Sequence, residues 1–181
     1  MSVNEEVVHG IPGNRALQDG DIVGVDCGLI MDRWHSDSAE TFAIGKVTSE
    51  AENLMATTRE CLALAIKQAR PGNRISDIGA AVEDIAHREG FSVVETLVGH
   101  GIGRELHEDP QVPNYRSTST PDPIIEEGLV IAIEPMINIG TKRVVTESDG
   151  WTILTADRKL SAHYEHTVAV TANGPRILTW R

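Results

Sequence analysis

Aromatic side chains are scarce in this sequence, with two Phe, two Tyr and three Trp among 181 residues. Val, Ile, Leu and Ala must therefore carry most of the core packing. Cysteine is rarer still. Cys27 and Cys61 are the whole complement, and they read as reduced thiols of a cytoplasmic protein rather than as a disulfide. No apolar run approaches the ~18 residues that a membrane span needs. The opening residues, Met1-Ser2-Val3-Asn4-Glu5-Glu6, have neither a basic region nor an apolar stretch, so no signal peptide is expected. Positive charge is also in deficit: 16 Lys and Arg stand against 27 Asp and Glu, a formal net charge of -11. That balance argues against nucleic acid or an anionic membrane as the main partner.

What remains fits a single domain over residues 1–181, long enough to bury a sizeable core. Gly20-Asp21 is a turn signal, and Ile22-Val23-Gly24-Val25-Asp26 continues as a strand; Thr41 to Ile44 reads as its partner, closed by Gly45. Ser49-Glu50-Ala51-Glu52 has capping-box spacing. Leu54, Thr58, Cys61, Leu62, Ala65 and Ala69 then recur at helical spacing until Pro71-Gly72. A second helix is expected from near Ser76 to Gly90, and a Pro-rich loop from Pro110 to Pro123. Further strands are expected at 91–94, 129–133, 151–154 and 167–170, with a turn at Asn173-Gly174. Strands and helices without strict alternation indicate an α+β fold. A weak internal echo runs through it: Gly20 leads by an apolar strand to Asp26, and Gly128 leads by another to Glu134.

Acids at the edge of a buried strand are costly unless something pairs with them. Asp26 and Glu134 each end such a strand, Asp37 lies where a return strand would begin, and Glu165 just precedes Thr167-Val168-Ala169-Val170. Beside them stands His100, flanked by the glycines of Gly99-His100-Gly101-Ile102-Gly103, which permit close backbone approach. One histidine and four carboxylates are a hard, oxygen-rich ligand set. They suit a pair of Mn, Fe(II), Co or Zn ions better than a structural zinc. Four negative charges match two divalent cations, and a bridging hydroxide would then be a nucleophile near neutral pH.

Six motifs occur here in the order in which methionine aminopeptidases carry them. They are His9-Gly10-Ile11-Pro12, Asp26 with Asp37, the glycine-flanked His100, His107, Ile133-Glu134-Pro135-Met136 and Tyr164-Glu165-His166-Thr167. The chain resembles that family from Ser2 to about Leu178, and the short interval between His107 and Glu134 resembles the bacterial type I form. The resemblance implies the pita-bread (creatinase/aminopeptidase-like) fold, two pseudo-symmetric halves around a metal pair, of which the echo would be a trace. It implies Asp37 and Glu165 as bridging ligands, with His100 and Glu134 completing one ion and Asp26 the other. Glu134 would also shuttle the proton. His107 matches the histidine that hydrogen-bonds the scissile amide, and His9 matches one that contacts substrate. Trp151 and Leu106 fall where relatives line the methionine pocket, although many relatives carry an aromatic residue at the second position. His35, His87, His163 and His166 have no such match and read as surface or packing residues. Cys27, following Asp26 on an alternating strand, should face away from the site.

The function implied is removal of N-terminal methionine from nascent proteins in the cytoplasm, near the ribosome. The alternatives are a weak or inactive pita-bread binding protein and an Xaa-Pro peptidase; Pro135-Met136 disfavours the latter, where glycine usually follows the proline. Relatives carry a further segment, two helices and part of the pocket, ahead of the stretch matched by Ser2-Val3-Asn4-Glu5. Its lack implies an uncovered sheet face, weak peptidase action, and either self-association or a partner chain that supplies the helices.

Overall fold

The architecture follows from where the apolar residues fall. In the computed structural model, which describes residues 1–180, the chain begins with six short strands. These are β1 (Ser2–Val3), β2 (Glu6–Val8), β3 (Ile22–Asp26), β4 (Leu29–Met31), β5 (Trp34–Ser36) and β6 (Ser38–Ala43). Two helices follow, α1 (Ser49–Gln68) and α2 (Ile75–Arg88). Then come β7 (Ser92–Val93), β8 (Gly99–Gly101), β9 (Glu108–Val112), β10 (Val130–Ile133) and β11 (Met136–Asn138). The last five are β12 (Val144–Thr146), β13 (Ile153–Thr155), β14 (Ser161–His163), β15 (Glu165–Thr171) and β16 (Gly174–Ile177).

The main sheet has the order β1-β3-β6-β15-β10-β8-β9, with β16 also pairing β15. Every pairing in it is antiparallel. The echo in the sequence is a physical repeat. Gly20 and Gly128 both take positive φ, 99° and 93°, and launch β3 and β10. Each of these strands pairs with a return strand, β6 or β15. The two return strands meet at the middle of the sheet, Glu165 opposite Ala39 and His166 opposite Ser38.

Both helices bury one stripe against the second half. Leu54, Cys61, Leu62 and Ala65 of α1 and Ile78, Val82 and Ile85 of α2 join Ile131, Ile133, Ile137 and Val168 in one core cluster. The first helix begins one position earlier than its Ser49 box suggests. Thr48 is the extended N-cap, and its hydroxyl accepts the amide of Ala51 at 3.2 Å, leaving Ser49 free to be helical. In α2 the Asp77 carboxylate accepts the backbone N–H of Arg74 at 2.8 Å. Two other expectations shift. Asp149 accepts the amides of Trp151 and Thr152 at 2.8 and 2.9 Å, holding them in a turn, so the strand starts only at Ile153. The supposed loop at Pro110 is partly strand, because β9 pairs with β8.

Candidate metal centre

Four acids and a histidine neighbour one another where the two halves of the sheet meet. Asp26 is the last residue of β3, Glu165 the first of β15, and both lie in register with Ala39. Asp37 immediately precedes β6. Its amide donates to Thr167 Oγ1 at 2.9 Å, and that hydroxyl donates back to the Asp37 carbonyl at 2.8 Å. This reciprocal clasp ties the Asp37 backbone to the strand that carries Glu165. Glu134 follows β10, and its carbonyl accepts from Asn114 Nδ2 at 3.0 Å. His100 sits in β8, opposite Ala132 and Gln111. The glycines beside it have a steric reason: a Cβ on Gly101 would collide with the Asp109 carbonyl oxygen, and one on Gly99 with that of Ala132. Strand β8 therefore nests between β10 and β9 only as glycine–histidine–glycine.

Ligand atoms of Asp37, His100 and Glu165 lie within 4.8 Å of one another. The Nε2 of His100 stands 3.6 Å from Glu134 Oε1. Its Nδ1 is 2.9 Å from the Gly101 carbonyl. A carbonyl only accepts, so Nδ1 carries a proton there, and Nε2 is the nitrogen turned to the acids. The electrostatics point the same way. Burial, then Asp26 and then Glu134, push the Asp37 carboxyl up to about 6. Burial, then Glu134, Asp37 and Asp26, hold Glu165 well above the usual carboxylate range. Each acid thus feels its neighbours as like charges with too little solvent to screen them. The donor chemistry fits divalent cations: oxygens crowded without a Lys or Arg among them, and one imidazole oriented by its second nitrogen.

A cavity of about 700 Å³ opens over this cluster, walled in part by His9, Asp26, His100, His107, Glu134 and Met136. His107 packs edge-on against His100, with ring centroids 4.3 Å apart. Burial first, and then the neighbouring His100 imidazole, lowers its pKa, so near pH 7 it is a neutral donor. His9 takes φ 63° and stacks on Trp151 at 5.0 Å. Trp151 is 58% exposed and forms an outer flank rather than a wall of the cavity. Leu106 is not among the residues that wall the cavity; a Cβ added to Gly28 would sit 3.8 Å from Leu106 Cδ1 and 3.6 Å from Asp37 Oδ1. Cys27 lines a separate groove with Phe42, Arg59 and Tyr164, away from this cavity as strand alternation requires.

Two residues at the site carry no signal that sequence reading caught. Asn114, fully buried, is an isolated amide in a Pro-rich stretch. His163 is buried, as the packing reading expects, but it lies beside Glu134. It is 3% exposed, with Nε2 at 3.6 Å from Glu134 Oε2. A three-residue strand is too short for periodicity to reveal which way its last side chain points. Of the other unmatched histidines, His35 meets the Gly103 carbonyl at 3.4 Å and His166 bonds Thr179 Oγ1 at 2.8 Å.

Comparison with known proteins places the chain in a family. A family model described as metallopeptidase family M24 matches residues 1–172. A methionine aminopeptidase of Clostridium perfringens is 51% identical over 179 residues, covering 99% of this chain and 72% of that protein. The crystal structure of a methionine aminopeptidase from Thermotoga maritima superposes with a TM-score of 0.95 at 44% identity, covering 99% of this chain and 72% of that one. A prolidase from Pyrococcus furiosus shares the fold, with a TM-score of 0.78 at 23% identity, covering 99% of this chain and 48% of that one.

Proposed function

Because the chain belongs to metallopeptidase family M24, we propose that it hydrolyses the first peptide bond of methionyl peptides, the amino termini of nascent proteins. The observation that carries this reading is the cluster of Asp37, His100 and Glu165 donor atoms beneath an open cavity. Likeness near 50% to methionine aminopeptidases favours methionyl substrates over Xaa-Pro ones, since the prolidase likeness is one of fold alone.

Asp26, Asp37, His100, Glu134 and Glu165 would hold the cations, with Asp37 and Glu165 shared between two of them. Divalent ions bound there would act as Lewis acids and supply a nucleophile near neutral pH. The chain's own groups do the rest. Glu134, at the edge of the cavity, takes a proton on its carboxylate and returns it to the departing amine. His107, kept neutral by burial, donates a hydrogen bond to the oxygen on which charge develops. The stacked His9 and Trp151 form one flank for substrate, and Leu106 another, holding the methionyl residue so that its carbonyl stays over the cluster.

The test is hydrolysis of a Met-Ala-Ser peptide against an Xaa-Pro peptide, each with Mn, Co and Fe(II). Cleavage of the methionyl peptide alone supports the reading; cleavage of the Xaa-Pro peptide alone overturns it. Among the described residues no helix is long and apolar enough to cross a membrane. Self-association is supported by the β4–β5 hairpin, where Ile30 and Met31 are 66% and 70% exposed. Sedimentation over a concentration series tests it: a constant monomer mass would refute it.

A further inference from the structure

The imidazole of His163 has an unusual position for a group outside the ligand set. Its backbone is locked: the His163 amide donates to Thr41 Oγ1 at 3.0 Å, and that hydroxyl donates to the His163 carbonyl at 2.8 Å. Its register is fixed as well, opposite Met136 in the β11–β14 pair. The ring is buried, yet Nε2 has no hydrogen-bond partner among the described residues. Buried polar atoms left alone cost free energy comparable to a lost hydrogen bond, and each one calls for an explanation. The nearest acid is Glu134, whose Oε2 lies 3.6 Å from that nitrogen.

Glu134 therefore stands between two imidazoles. Its Oε1 faces His100 Nε2 and its Oε2 faces His163 Nε2, both at 3.6 Å. The first histidine commits its other nitrogen to the Gly101 carbonyl, and its ligand atom lies among those of Asp37 and Glu165. His163 instead meets the other oxygen of the Glu134 carboxylate.

We infer that His163 is the positioning residue for Glu134: its imidazole donates Nε2–H to Oε2, aiming Oε1 at the metal cluster and fixing the plane of the carboxylate. A separation of 3.6 Å is beyond hydrogen-bond range, and contacts of this kind tighten when the working complex forms. Outer partners of this sort orient a ligating carboxylate and set how well it serves the ion. The inference rests on the reading of Glu134 as ligand and proton carrier.

Two variants separate positioning from packing. His163→Gln keeps an N–H donor, and His163→Leu keeps the bulk and removes it. The leucine variant should lose roughly 10–100-fold in kcat with KM near the parent value, and bind Mn(II) on the order of 10-fold more weakly by calorimetry. Glutamine should restore both. Equal behaviour of the two variants in both measurements would overturn the inference. In the metal-free chain, imidazole ¹⁵N resonances should report a proton on Nε2 of His163; a proton on Nδ1 alone would overturn it even if the leucine variant failed to fold. Should the unsubstituted chain hydrolyse no methionyl peptide, the proposed activity falls. The Mn(II) titrations and the tautomer would still decide the role of His163.

Discussion

Single side chains at this centre should fail in different ways. His107 packs edge-on against His100, at 4.3 Å between ring centroids, and in the proposed division of roles it is a donor rather than a ligand. His107→Ala should cost about 10²–10³ in kcat and leave the cation content unchanged by metal analysis; release of a cation would contradict the division of roles. Asp37 sits at the other extreme. It feels both Asp26 and Glu134, acids assigned to different ions. Asp37→Ala should weaken both binding events in a metal titration, whereas Asp26→Ala should weaken one. Two unchanged binding steps in Asp37→Ala would end the bridging assignment.

Among the elements, β8 is the least tolerant. A side chain at Gly101 would meet the Asp109 carbonyl oxygen, a backbone atom that cannot swing aside. Gly101→Ala should push β9 from β8, displace His100, and lower metal affinity as well as the melting temperature. Parent-like metal affinity in that variant would show that the strand has slack. This element also shows how far the sequence could be read. The glycine–histidine–glycine pattern and the acids at the ends of β3 and β10 were legible because each breaks a local rule, a charge or a glycine where an apolar strand wants neither. The helices were legible from their spacing, to within a residue at each N-cap. The strand at β9 was not, because proline masks it. Neither was the site role of His163 or Asn114, which depends on pairings between β11 and β14 and across to β10 that join distant stretches. No local pattern encodes such contacts.

For the molecule as a whole, the crowded carboxylates make stability depend on protons and metal together. Without cations, the Asp37 carboxyl is pushed up to about 6 and Glu165 is held well above the usual carboxylate range, whereas unfolded carboxyls release their protons near pH 4. The fold therefore holds more protons than the unfolded chain between those values, and its stability falls as pH rises through about 6. In chelator the melting temperature should be higher near pH 5 than near pH 8, and Asp37→Asn should flatten that fall. Added Mn(II) should raise the melting temperature most at the higher pH. A metal-free melting curve indifferent to pH, or one unmoved by Mn(II), would refute the linkage. The meeting of β6 and β15 at the centre of the sheet also has a consequence in time. Asp26 is made early and Glu165 late. At roughly 5–20 residues per second, a growing chain would carry its first ligand for on the order of 10 s before the last was synthesised. The proposed ligand set is therefore complete only once Glu165 has been made.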